Sequence, residues 1–314
     1  MTAGQDGRGK AGWTTAVRPG IKDGMGDPTP EPEAPAPDDW HLKLFEKSLP
    51  LQARLAEIAS MVGRVPVNQT WLDVSGDGVS SGQLRRLGGT WHTATPDDAS
   101  AASTLRLVGE RVERIREGRL PFGDSLFDGV VILDQLERMP DDALLIAECH
   151  RVLKPAGRLL VHAPHLKKRA LLRPARRLLG MTDEALGRVR PGYTESVLFD
   201  LLKDGFDVQE ARSYGRFFVE ALDLLAWRGE RPLSLAAGAD AGSLEKLVLR
   251  RARLYPVFQF AAGMDTLLGL TKGYRLIVRA RRRPWRPRRA PVLADGRSIA
   301  EAALGGKIGT AAPF

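Results

Sequence analysis

Only one cysteine, Cys149, and five histidines occur in the 314 residues. A lone cysteine excludes an internal disulfide framework and any zinc site built on cysteines. Cys149 sits in an apolar helical pattern, which predicts a buried structural thiol rather than a nucleophile. The histidines are scattered without metal-ligand spacing, so no metal is expected. These absences point to a reducing, cytoplasmic setting. Long apolar runs are also missing: none approaches the ~20 residues of a spanning helix. The first residues lack the apolar core of a secretory signal. Acidic residues number 38 against 47 Lys+Arg, a net charge of +9. The excess is local, because eight arginines lie between Arg275 and Arg289. A basic balance held at one end argues against a nucleic-acid binder.

What is present has a clear order. Residues 1–38 are rich in Gly, Pro, Asp and Thr without apolar periodicity, which predicts a disordered leader. Over 39–66, Trp40, Leu42, Leu44 and Phe45, then Leu51, Leu55, Ile58 and Val62, give helical spacing. The stretch 72–82, Leu-Asp-Val-Ser-Gly-Asp-Gly-Val-Ser-Ser-Gly, reads as strand, tight turn and helix start. Such a turn brings bare backbone toward a ligand, and free N–H groups at a helix start favour negative or polar atoms. Gly76, Gly78 and Gly82 also give a GxGxxxG spacing, which keeps a nicotinamide-dinucleotide enzyme among the alternatives.

Strand and helix patterns then alternate. Strands are expected at 70–74, 90–95, 112–115, 129–133 and 158–163, with helices opened by Asp97 or Asp98 and by Asp141. The run 129–133 is apolar throughout, as in a strand covered on both faces. Lys154-Pro155-Ala156-Gly157 is expected to break the helix before the strand at 158. This alternation predicts a doubly wound α/β sheet. Beyond it, 165–180 is basic and helix-like, 194–203 is an amphipathic helix, and 206–211 and 274–280 are strands. Two apolar helical stretches, 217–227 and 244–270, lie between those strands. Residues 283–314 read as a basic, mostly disordered tail.

The block 120–164 resembles the class I S-adenosylmethionine-dependent methyltransferases. Leu120-Pro121-Phe122, Phe127-Asp128, the apolar strand, Leu136-Glu137 and Leu153-Lys154-Pro155-Ala156-Gly157 follow that family's pattern in order and spacing. Arg138 stands where the family often has His, and Ala156 where it often has Gly. The resemblance runs over about 72–206. It implies a Rossmann-like seven-stranded sheet over 67–282 with N-terminal helices. It also implies a last strand antiparallel between its neighbours, so that 213–271 becomes a helical insertion. The implied cofactor is S-adenosyl-L-methionine.

By that resemblance Asp73 is the acid ending the first strand. Ser75, Asp77 and Val79 stand where glycines are expected, with Gly76 and Gly78 displaced by one residue. The second strand lacks the family's ribose-binding acid; Asp97 or Asp98 is the substitute, with helix capping as the plainer role. Glu117 is the candidate for the adenine edge. Leu133, Asp134 and Gln135 occupy the place that lines the methionine moiety. His165 is the candidate base at the crevice edge, with His162 two residues short of Pro164. Arg190 and Tyr193 are candidates to shape the acceptor pocket. The implied reaction is methyl transfer to a small-molecule or lipid- or glycan-type acceptor at oxygen. The alternative is a non-catalytic relative, for which the missing acid speaks. Apolar helices beside a basic cluster also suit peripheral contact with an anionic membrane.

Overall fold

The central strands are largely apolar because both faces are covered. In β1 (Thr70–Val74), Leu72 and Val74 point to one face and Trp71 to the other. In β4 (Phe127–Leu133), Val130 and Ile132 join the first layer while Val131 and Leu133 join the second. This period-two split is what a pleated strand between two helical layers requires.

The computed structural model describes residues 42–43, 45–167, 171–236, 241–268 and 271–286. The expected leader at 1–38, Trp40, and the tail from 287 lie outside the described residues. The elements run α1 (Leu49–Val62), β1, α2 (Gly78–Arg85), β2 (Thr90–Thr95), α3 (Asp98–Val108), β3 (Val112–Arg114), β4, α4 (Asp142–Val152) and β5 (Leu153–Pro164). They continue through α5 (Arg173–Leu178), α6 (Glu195–Leu202), β6 (Phe206–Tyr214), α7 (Phe217–Ala236), α8 (Ala241–Leu267) and β7 (Arg275–Arg282). The seven strands form one sheet in the order β3-β2-β1-β4-β5-β7-β6. Only β7 runs antiparallel, between β5 and β6. The expected seven-stranded Rossmann-like sheet is therefore present.

On one face, α4 and α6 contribute Leu145, Ile146, Cys149, Leu198 and Leu202 to the core. On the other, α1 lays Ile58, Met61 and Val62 over Trp71, Val131 and Leu160. Each fully buried aliphatic side chain stabilises by roughly 1.5–3 kcal/mol, so α1 is anchored by its apolar stripe. Its polar edge is thereby turned toward the C-terminal ends of β1 and β4. Cys149 is wholly buried, and burial pushes its thiol far above the usual range.

Three local expectations need correction. Lys154–Gly157 does not precede β5 but lies within it. The pairing with β4 slips there, with Phe127 opposite Leu153 and Gly129 opposite Arg158. Asp128 ties down this irregularity by accepting from Lys154 Nζ at 2.8 Å and Thr70 N at 2.9 Å. The helix expected over 165–180 is reduced to α5, because His165 instead pairs as an isolated bridge with Tyr193. The strand expected at 274–280 begins one residue later and extends to Arg282.

Helices α7 and α8 stand between β6 and β7 and pack on each other, burying Leu224 and Phe258. Helix α8 also meets α1, where Tyr255 donates to Gln52 Oε1 at 3.1 Å. Among the described residues no helix is long and apolar enough to cross a membrane.

Candidate cofactor and acceptor site

The turn after β1 is held by a small polar cluster. Asp73 is fully buried, and its Oδ2 accepts from the hydroxyls of Ser81 and Ser75, the latter at 3.2 Å. Burial lifts its carboxyl to about 6, against the pull of those hydroxyls. Asp77 caps α2 by accepting from Val79 N at 3.1 Å. Gly76 and Gly78 play different parts. A side chain on Gly78 would meet Thr104 Cα at 2.8 Å, so this glycine lets α2 pack on α3. The GxGxxxG spacing thus serves helix packing at its middle position. A side chain on Gly76 would meet Gln135 Nε2 at 3.2 Å and Ser100 Oγ at 3.3 Å. The bare backbone of Gly76 therefore faces the crevice between the ends of β1 and β4.

Asp134, just past β4, is the electrostatic centre. Its backbone has φ 50°, a left-handed conformation that Asp tolerates better than most residues. Arg275 Nη1 donates to Oδ1 at 3.0 Å and Arg54 Nη1 to Oδ2 at 3.1 Å. His162 Nδ1 lies 3.1 Å from Oδ1. Burial opposes the charge of Asp134, but His162, Arg275 and Arg54 together hold it well below the usual carboxylate range. Arg54 reaches further, to Asp77 Oδ2 and Ser80 Oγ, both at 2.5 Å. One guanidinium from α1 thus bridges the two carboxylates at the ends of β1 and β4. His162 is fully buried, kept neutral by burial, and bonded through Nε2 to Tyr214 Oη at 2.6 Å.

Not every expected residue joins this cluster. Gly78 packs against α3, whereas Asp73, Ser75, Gly76, Asp77, Asp134 and Gln135 gather around the crevice. Leu133 does not: it packs in the core layer under α1. Asp97 is exposed and caps α3, accepting from Ser100 N at 2.8 Å. Asp98 lies in the first turn of the same helix and pairs with Arg114. Glu117 is exposed at φ 51° on the turn closed by Arg116 and Arg119. Arg190 and Tyr193 form a strut to Asp142 at the start of α4, at 2.6 and 2.8 Å. Sequence reasoning missed Arg54, Arg275 and Tyr214. Their periodicities mark helix or strand, and nothing local shows that they converge on Asp134.

The charge pattern fits the amino-acid half of S-adenosylmethionine. A zwitterionic head needs a cation for its carboxylate and acids for its ammonium; Arg54, Asp77 and Asp134, here paired with one another, are groups of those kinds. Two buried acceptors beside the turn, Asp73 Oδ1 and Gln135 Oε1, have no hydrogen-bond partner among the described residues. Buried acceptors of this kind ordinarily find a donor. The ribose end is less well provided, since no acid closes β2.

On the far side of β5, His165 is nearly buried and its Nδ1 lies 2.8 Å from the carbonyl oxygen of Gly273. A carbonyl only accepts, so Nδ1 carries the proton and Nε2 keeps its lone pair. Burial lowers the pKa of the ring and keeps it neutral. His165 borders a cavity of about 900 Å³ whose apolar walls include Leu166, Leu171, Leu172, Phe217, Phe218 and Leu268.

Comparison with known proteins agrees with this fold. Residues 72–161 match the family model described as a methyltransferase domain. The ubiquinone/menaquinone biosynthesis C-methyltransferase UbiE of Paraburkholderia xenovorans is 35% identical over 83 residues, 25% of this chain and 34% of that protein. The demethylmenaquinone methyltransferase of Mycobacterium tuberculosis is 34% identical over 101 residues, 31% of this chain and 42% of that protein. The chain thus spans well under half the length of these relatives. The crystal structure of geranyl diphosphate C-methyltransferase from Streptomyces coelicolor superposes with a TM-score of 0.50 at 14% identity, covering 82% of this chain and 83% of that one. Residues 72–161 therefore form a methyltransferase domain, in a chain with the sheet of the class I S-adenosylmethionine-dependent methyltransferases.

Proposed function

We propose that the protein transfers a methyl group from S-adenosylmethionine to a small, largely apolar acceptor. The observation that carries the reading is the pairing of two features at the C-terminal edge of the sheet. One is a crevice lined by Arg54, Asp77 and Asp134. The other is an apolar cavity bordered by a neutral histidine. Ligands of open α/β sheets bind at this edge.

Bound in the crevice, S-adenosylmethionine supplies a methyl group activated by its positive sulfur. Arg54 would take the carboxylate of its amino-acid head, and Asp77 and Asp134 the ammonium. The protein's further work is orientation and exclusion of water. Leu166, Phe217 and Phe218 would hold the acceptor in a dry cavity. Nε2 of His165 would accept the proton that the acceptor loses as it gains the methyl. A base with a lowered pKa is ready to do so at neutral pH.

Transfer to oxygen, expected from sequence, gives way to carbon. The names of two similar proteins specify C-methylation, and the acceptor of a third is a demethylated menaquinone. Labelled methyl transfer from S-adenosylmethionine to a panel of quinones and other apolar acceptors tests the reading. Replacing His165 with Gln should lower kcat about a hundredfold or more with little change in KM, the usual scale for a lost general base. An unchanged kcat would remove His165 from the chemistry.

A second reading has its own support: β2 ends without an acid, and Arg54 already satisfies both Asp77 and Asp134. On that reading the chain keeps the fold as a binding module. Peripheral contact with an anionic membrane belongs to the first reading. It is supported by Leu225, Phe260 and Leu267, which are 62%, 73% and 76% exposed on α7 and α8. Vesicle flotation should retain the protein on anionic lipid; full recovery in the unbound fraction contradicts the contact.

A further inference from the structure

The apolar cavity adjoins a second one of different character. A pocket of about 300 Å³ shares four lining residues with it: His165, Leu166, Lys167 and Glu220. Its other walls carry Arg173, Arg176 and Arg177 from α5 and Arg188 from the loop before α6. With Lys167 that makes five cations, against three carboxylates, Asp183, Glu184 and Glu220.

The cations are unevenly neutralised. Lys167 is paired with Glu220 at 2.9 Å. Arg176 is 3.9 Å from the same carboxylate, beyond hydrogen-bond reach. Arg188 has only 11% of its side chain exposed, and its nearest acid, Glu137, is 3.7 Å away. The Nε atoms of both arginines are buried and without a hydrogen-bond partner among the described residues. Neither Arg173 nor Arg177 forms an ion pair among the described residues. A half-desolvated guanidinium without a close acceptor is costly unless a ligand provides one. Planar guanidiniums suit phosphate and carboxylate oxygens, which they can bind in pairs.

We propose that the acceptor is an amphiphile. Its anionic head, of phosphate type, binds Arg176 and Arg188 in the basic pocket, while its apolar chain fills the adjoining 900 Å³ cavity. His165, on the border of both, would face the junction of head and chain. The inference rests on the methyltransferase reading for the word acceptor; binding of the amphiphile does not require the methyl donor.

Calorimetric titration without cofactor separates the possibilities, using decyl phosphate, decanol and inorganic phosphate below the micelle concentration. Decyl phosphate should bind at least tenfold more tightly than either decanol or inorganic phosphate alone. The double variant R176Q/R188Q should lose about tenfold or more for decyl phosphate and less than twofold for decanol, as expected if charge-assisted hydrogen bonds are removed. Its decanol affinity doubles as the check that the cavity is intact. Equal affinity for decyl phosphate and decanol, or no binding of either, overturns the proposal. Preference for inorganic phosphate over decyl phosphate also overturns it, leaving a free-anion site. A separate titration with S-adenosylhomocysteine reports on the methyltransferase reading, so the two can fail independently.

Discussion

Glu137 offers a quantitative test of the electrostatics behind the crevice. It follows β4 and is fully buried, with no hydrogen bond to either carboxylate oxygen. Arg188 Nε stands 3.7 Å away, too far for a close pair. Burial first, and the nearby charge of Asp134 second, push its carboxyl up to about 7. Between the ordinary glutamate range and about pH 7, the folded chain holds a proton that the unfolded chain has lost. Stability therefore falls as pH rises through that window and stays low above it. Moving the carboxyl from the ordinary glutamate range to about 7 corresponds to about 3 kcal/mol. Replacing Glu137 with Gln removes the titration and keeps the shape. Urea unfolding with a common slope measures the gap between variant and wild type. Relative to its value at pH 5, that gap should move by about 3 kcal/mol in favour of the variant at pH 8. In the Asp134→Asn background the movement should shrink, because the repelling charge is gone. A gap that is the same at both pH values, or that moves toward the wild type at pH 8, refutes the reasoning.

Asp134→Asn should destabilise by about 2–4 kcal/mol at pH 7, since it leaves Arg54 and Arg275 facing each other without their shared carboxylate. Asn tolerates the left-handed backbone there, so the loss reports charge rather than strain. Because the carboxyl of Asp134 is depressed, the wild-type advantage should be complete above the ordinary aspartate range and be lost progressively as pH falls from that range through the depressed pKa. A loss below about 0.5 kcal/mol, the scale of a surface pair, contradicts the cluster. Gly78→Ala should gain up to about 1 kcal/mol in helix propensity and lose about 1–3 kcal/mol to the clash with Thr104 Cα. Net stabilisation in the same unfolding assay would show that α2 and α3 are not packed this closely.

The sheet was legible because its signals are local. Apolar strands with Asp97 and Asp141 at helix starts mark the elements directly, and both cap as expected; Thr194 caps α6 in the same way. The placement of β7 came through the family resemblance, since nothing local in 274–280 sets its direction. The site was legible only in part. Asp73, Asp77 and Asp134 could be named because they stand at strand ends. Arg54 and Arg275 reach the same point from 80 and 141 residues away in sequence relative to Asp134, and no short spacing encodes that. Asp97 shows an ambiguity of the opposite kind: a capping acid and a ligand acid look alike in sequence, and Asp97 caps α3 while staying exposed. The slip in β5 was hidden because Pro155 and Gly157 read as a break, whereas Asp128 holds the irregular segment in the sheet.

Calorimetric titration of the full chain with S-adenosylhomocysteine, alongside Arg54→Met, is the most direct measurement. A methyltransferase crevice predicts micromolar or tighter binding at neutral pH, on the order of 8 kcal/mol, weakened at least about tenfold in the variant, since hydrogen bonds to charged groups carry about 1.5–3 kcal/mol each. No binding by the wild type, with the fold intact by unfolding, would contradict it and leave a relative that kept the sheet without the cofactor.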